Sequence, residues 1–221
     1  MGSPYGPPGT GDILGHPNLQ LMYHHTVPNS RLKKFWNDTV SNSVMASKQQ
    51  PLLLALERNI SAYAGMIHPN GQLTQGDITA AITLSRKIRQ GDVVHDPGAQ
   101  ERPDGWDDFR RIYIWLPGNL FKGPRNRADD PGDAFDSPAR PVLGATLFGQ
   151  LSDINTKIMD YLEHPADGPR AQSAYTALAE VAKSYINRNP RNFNNKYWAW
   201  KKDDRKEGPV INRRTGHLPR S

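Results

Sequence analysis

Two neighbouring stretches of helical periodicity constrain this chain more than any other feature. Over roughly 144–162, Leu147, Leu151, Ile154, Ile158 and Tyr161 fall on one stripe. Over roughly 170–187, Tyr175, Leu178, Val181, Ala182 and Tyr185 repeat the pattern. Only a short connection containing Pro165 and Gly168 separates them, so the two helices are expected to pack antiparallel. Three earlier segments read as helices. One starts at Arg31 with Ser30 as its cap and buries Leu32, Phe35, Trp36, Thr39 and Val40. One starts at Pro51 and buries Leu53, Leu56, Ile60, Tyr63 and Ile67. The third is capped by Thr74 and buries Ile78, Ala81, Ile82, Ser85 and Ile88.

A strand is expected near 19–25. Residues 106–116 suit either helix or strand, since Phe109, Ile112, Tyr113 and Leu116 fit one period and Ile112–Trp115 fit the other. Segments 91–105 and 117–141 are rich in Gly, Pro and charge and read as loops. The fold class is therefore mainly α with a small β component, in one helical domain. An irregular segment 1–17 precedes a body at 18–190, and a basic, aromatic-rich extension follows at 191–221, expected to pack on that body.

The chain has 221 residues and no cysteine, which excludes a disulfide framework and a thiolate metal site. No apolar run approaches the roughly 20 residues that span a bilayer, and no secretory signal pattern opens the chain. From Lys183 onward there are 11 Lys or Arg against 3 Asp or Glu, whereas the preceding residues carry 17 against 19. Such a basic end suits contact with nucleic acid, and equally a solvated tail. Within it, Phe193, Tyr197, Trp198 and Trp200 alternate with Asn and Lys. These rings either stack on bases or anchor the extension, and Lys201, Lys202, Arg205, Lys206, Arg213 and Arg214 are candidate phosphate contacts.

Two units can carry chemistry. In Tyr23-His24-His25-Thr26-Val27-Pro28, adjacent imidazoles end the expected strand, and neighbouring strand residues point to opposite faces. One imidazole can then serve as metal ligand and the other as base. The second unit runs from Trp115 through Pro117-Gly118-Asn119 to Arg125-Asn126-Arg127-Ala128-Asp129-Asp130. Asn119, Asp129 and Asp130 offer hard oxygen ligands for magnesium or manganese, and Arg125 and Arg127 can fork onto phosphate. The same residues also suit a structural loop in which the carboxylates pair with the arginines.

The His-His-x-x-Pro segment, with Asn119 as a middle Asn, resembles the HNH, or His-Me finger, nucleases of the polymorphic-toxin type. That resemblance implies a ββα-metal-like finger holding one divalent ion (Mg or Mn, with Zn possible). It makes His24 the metal-side residue, His25 the general base and Asn119 the residue that orients the base or binds metal. It also implies a nuclease toxin domain acting on DNA or RNA in the cytoplasm, delivered within a secreted protein and neutralised by an acidic immunity protein. Where the family has a final histidine, Arg127, Asp129 and Asp130 stand here. Three helices also separate His25 from Asn119. The rival readings are a noncatalytic nucleic-acid-binding protein, a helical effector module, and a hydrolase of another substrate using Asp129 and Asp130.

Overall fold

The computed structural model describes residues 5–58, 60, 74–91, 103–185, 188–202 and 206–212. The paired helices form as the periodicity requires. Helix α7 (Ala145–Glu163) and helix α8 (Gly168–Tyr185) are joined by a short turn and pack along their apolar stripes. Before them come α1 (Asn29–Val40), α2 (Ser43–Ala46), α3 (Gln50–Glu57), α4 (Gln75–Arg89), α5 (Trp106–Ile114) and α6 (Arg140–Leu143). The fold is α+β, with helices dominating.

The core gathers where α1 crosses the others. Phe35 and Trp36 are fully buried, Phe35 against Tyr175 at 4.5 Å and Trp36 against Tyr113 at 5.0 Å between ring centroids. Burial of such rings is the largest apolar contribution a side chain can make. A polar thread runs through it: Thr39 Oγ1 lies 2.6 Å from the Tyr175 hydroxyl and accepts from Gln49 Nε2.

Helix starts follow local chemistry in one case and tertiary structure in another. Thr74 forms a complete capping box with Asp77, as a Thr-x-x-acid pattern does. Helix α1 instead starts at Asn29 rather than behind a Ser30 cap. Pro28 precedes it, and the Pro28 carbonyl accepts from the Leu32 N–H. Residues 106–114 are helical, with Trp106, Phe109, Ile112 and Tyr113 buried on one side. Tyr63, Ile67 and most of the 91–105 loop lie outside the described residues.

The strands number more than the local pattern suggests. Strand β1 (Thr10–Ile13), within the segment expected to be irregular, pairs antiparallel with β2 (His16–His25). Strand β3 (Leu120–Pro124) pairs with the other edge of β2, placing Phe121 opposite His24 and Leu120 opposite His25. In the C-terminal extension, β4 (Trp198–Lys202) and β5 (Glu207–Ile211) form a separate hairpin. Gly123 allows that hairpin to sit against β3, since a Cβ there would come within 2.6 Å of the Trp198 ring. Trp198 is buried, and Phe193 stacks on it at 6.0 Å, so these rings anchor the extension. Trp200 stacks flat on His16 at 3.5 Å and donates to Glu207.

Asn119 joins the turn before β3 to the segment leaving β2. Its Oδ1 accepts from the Val27 N–H at 2.7 Å, its Nδ2 donates to the Val27 carbonyl at 3.0 Å, and its own carbonyl accepts from Thr26 N–H at 3.0 Å. Asn119→Ala should leave both Val27 backbone groups buried and unpaired, costing about 2–4 kcal/mol. Urea unfolding of the purified chain reads this directly, and a loss under 1 kcal/mol would show that the clamp is not needed.

Candidate functional site

Strand β2 delivers its two imidazoles to opposite faces, as the pleat demands. His24 is 6% exposed and stacks on Phe121 at 5.3 Å. Its Nε2 lies 3.0 Å from the Pro124 carbonyl, and its Nδ1 lies 3.4 Å from Asp130 Oδ2. A carbonyl only accepts, so Nε2 carries the hydrogen in that contact. Nδ1 then has two options. It can bear a second hydrogen and bond Asp130, or it can present a lone pair to the same point as the carboxylate. Two facing acceptors are what a divalent cation bridges, so His24 and Asp130 fit as ligands for one.

His25 turns the other way, its ring edge-on to Trp115 at 4.7 Å. Nε2 is buried with no hydrogen-bond partner, and the Ile114 carbonyl, which only accepts, takes the hydrogen of Nδ1, so the lone pair of the neutral ring sits on Nε2. Burial is the main force lowering its pKa to about 4. The charges of His24 and Lys33 add to the lowering, and the Ile114 carbonyl opposes it. The ring is therefore neutral, and able to accept a proton, at neutral pH.

His24, His25, Asp130, Asp133 and Asp136 line one cavity of about 210 Å³, bordered by Met22, Tyr23, Pro28 and Asn29. The 125–136 loop, rather than a helix, faces His24. Asp130 is held in place by accepting from Gly132 N–H at 2.8 Å. Its hydrogen bond with His24, aided by Gly132 and by nearby Arg127, lowers its pKa to about 2 despite partial burial.

The other expected site residues take structural places. The Asn119 amide is occupied by Val27 and is absent from the cavity wall. Asp129 accepts from Arg127 Nε at 3.1 Å and from Ile211 N–H at 3.0 Å, tying the loop to β5. Arg127, expected as a phosphate contact, is 2% exposed. It forms a fork onto Asp136 at 2.6 and 3.2 Å and lies over the rings of Phe121 and Trp198. Burial works against its charge, but Asp136 and Asp129 outweigh it and raise its pKa. Arg125 is exposed at the end of β3, and Lys201, Lys202 and Lys206 are exposed on the C-terminal hairpin. Arg205, Arg213 and Arg214 lie outside the described residues.

Asp136 and Asp133 were not legible as site residues. Nothing in Phe135-Asp136-Ser137 marks a carboxylate that pairs across nine residues with a buried arginine. Among the described residues, no group of three or more His, Asp or Glu converges as a metal cage; His24 and Asp130 are the pair that meets here. Also among the described residues, no helix is long and apolar enough to cross a membrane.

The chain is 29% identical over 153 residues to protein p9 of Acyrthosiphon pisum secondary endosymbiont phage 1. That match takes in 65% of this chain and 40% of the phage protein, so the chain spans well under half of that relative's length. No family model matches the chain, and no solved structure matches it at a significant level.

Two measurements check this site. Arg127→Met removes the charge that neutralises Asp136, and the orphaned carboxylate should cost about 3–5 kcal/mol. Unchanged denaturation would refute the rivet role. The second is pH. The folded pKa of His25, about 4, lies below the ordinary 6.5, so the unfolded chain binds the proton first. Stability is full above pH 6.5 and falls as pH drops toward 4, by on the order of 3 kcal/mol. Loss owed to Asp130 comes only below about pH 3.8, as pH falls toward 2. In His25→Gln the fall between pH 6.5 and 4 should shrink. An identical pH curve in that variant would contradict the assignment.

Proposed function

We propose that this chain is a metal-dependent nuclease domain of the toxin type, hydrolysing phosphodiester bonds of DNA or RNA. One observation carries the reading: a neutral, desolvated imidazole, a second imidazole and a carboxylate facing it share one small cavity. The phage relative adds no activity to the argument, and the resemblance to His-Me finger nucleases lies in the paired imidazoles at a strand end and in Asn119. Here Asn119 fixes the backbone just after the base rather than meeting an ion.

In this reading His25 Nε2 takes a proton from water. The water oxygen attacks phosphorus, the bond from phosphorus to the leaving oxygen breaks, and that oxygen takes a proton from solvent. A base with pKa near 4 is weak by itself, but the negative charge of a phosphodiester beside the ring raises it. His24 and Asp130 would hold a divalent cation, magnesium or manganese by the mixed nitrogen and oxygen donors, with zinc also compatible. Such an ion supplies positive charge next to the phosphate. Arg125 and the lysines of the C-terminal hairpin are exposed cations for the strand, and an acidic neutralising protein would be the complementary partner.

The test is incubation of the purified chain with plasmid DNA and with total RNA, with magnesium and with a chelator. Cleavage of at least one substrate is expected with magnesium and none with chelator. His25→Ala should slow cleavage by about 10²–10⁴-fold with the fold retained by circular dichroism. Full cleavage by that variant would remove His25 as the base, and no cleavage of either substrate by the unaltered chain would end the nuclease reading.

A further inference from the structure

A second cavity opens beside the first. It has a volume of about 290 Å³ and is bordered by Tyr5, Pro7, Tyr23, Lys122, Asn189 and Asn192, with Gly6 and Pro190 completing the wall. Tyr23 lines both cavities. On β2, Tyr23 and His25 share a face and stand two residues apart, which is about 7 Å along the strand. Tyr5 continues the wall between them. Its ring lies 5.3 Å from Tyr23 and 6.4 Å from Trp115, and its hydroxyl donates to the Trp115 carbonyl at 2.6 Å. Trp115 in turn packs on His25.

The chemistry of this wall is selective. Lys122, directly opposite Tyr23 on β3, sets its ammonium 5.6 Å from the Tyr23 ring centroid. No ion pair forms between Lys122 and a carboxylate among the described residues, and none of the residues lining the cavity is acidic. Asn189 and Asn192 are exposed and hold amides that can both donate and accept. A cation, two amides and flat apolar walls suit a phosphate, the edge of a base and its face. A third space of about 330 Å³, which shares Asp133 with the first cavity, is bordered by Arg31, Lys34, Asp133 and Glu163. There two cations meet two carboxylates, and no net charge draws a phosphate.

From this asymmetry we infer that the Tyr23–Lys122 cavity binds one unpaired nucleotide next to the scissile phosphate, so that the substrate is a single strand. The inference rests on the nuclease reading above and specifies its substrate. A cavity of this size takes one nucleotide. A base held in a duplex is stacked and paired, and must be extruded at a cost of a few kcal/mol before it can enter such a space.

Binding is measured by fluorescence anisotropy on the full chain carrying His25→Ala, which slows cleavage enough for binding to be read first. The probes are a labelled six-nucleotide single strand, of DNA and of RNA, and a hairpin duplex of equal charge. The single strand should bind at least tenfold more tightly than the duplex. Adding Lys122→Ala should weaken single-strand binding by roughly 3–10-fold and reduce the salt slope by about 0.7, the value of one phosphate contact on a single strand. Lys157→Ala, remote on α7 and paired with Asp153, serves as the matched charge control and should change neither quantity. Equal or tighter duplex binding would overturn the inference, as would a Lys122→Ala effect no larger than the control. Hydrolysis of bis(p-nitrophenyl) phosphate by the unaltered chain with magnesium tests the underlying reading separately. If that diester is cleaved while Lys122→Ala binds normally, the subsite fails and the nuclease reading stands. If Lys122→Ala loses binding but no diester is cleaved, the cavity is a nucleotide site on a noncatalytic protein.

Discussion

Arg127 carries its charge into the interior over the rings of Phe121 and Trp198, and it can remain there only because Asp136 and Asp129 meet it. An unpaired guanidinium at that depth would be prohibitively costly, so the carboxylates and the arginine must fold together. Their positions then fix much else. Asp136 donates its backbone N–H to the Thr26 carbonyl, and Asp129 accepts from Ile211 N–H on the C-terminal hairpin. One ion cluster thereby ties the 125–136 loop to the segment leaving β2 on one side and to β5 on the other. Asp130 lies inside the locked loop, which is why a carboxylate on an irregular segment holds a defined place beside His24.

The same construction separates the two imidazoles by environment. His24 faces the loop and finds a carbonyl and a carboxylate. His25 faces Trp115, with one nitrogen buried and unpartnered. Adjacent residues of identical chemistry thus differ because a strand presents them to opposite sides, one polar and one apolar. Chemistry that needs a held cation and a neutral base can draw on such a division, and the shared cavity brings both within reach of one bound group.

Much of the helical frame was legible because its signals are local. The stripes of α7 and α8, the Thr74 cap and the buried face of α1 are periodic or adjacent in sequence, and each follows from local chain without its neighbours. The paired imidazoles were legible as a unit for the same reason, whereas the contact of His24 with Asp130 was set by the tertiary fold. The short strands were not. Leu120–Pro124 contains Gly and Pro and has little strand preference of its own, yet it pairs because β2 offers an open edge and Leu120 and Phe121 bury fully. Thr10–Ile13 is similar, and Gly11 is needed there because the Phe193 ring lies where a Cβ would stand.

By itself the sequence determined the helix-dominated class, the antiparallel α7–α8 pair, and which residues carry titratable groups near a strand end. Those follow from spacing within a few turns of chain, where backbone geometry alone relates side chains. Tertiary structure decided the role of each polar group. It made Arg127 an interior rivet, Asn119 a backbone clamp, and Asp130 the carboxylate left facing the cavity. The reason is that a polar side chain's role depends on which partners and how much water surround it after folding. Two of those partners, Asp136 for Arg127 and Val27 for Asn119, stand nine and ninety-two positions away along the chain.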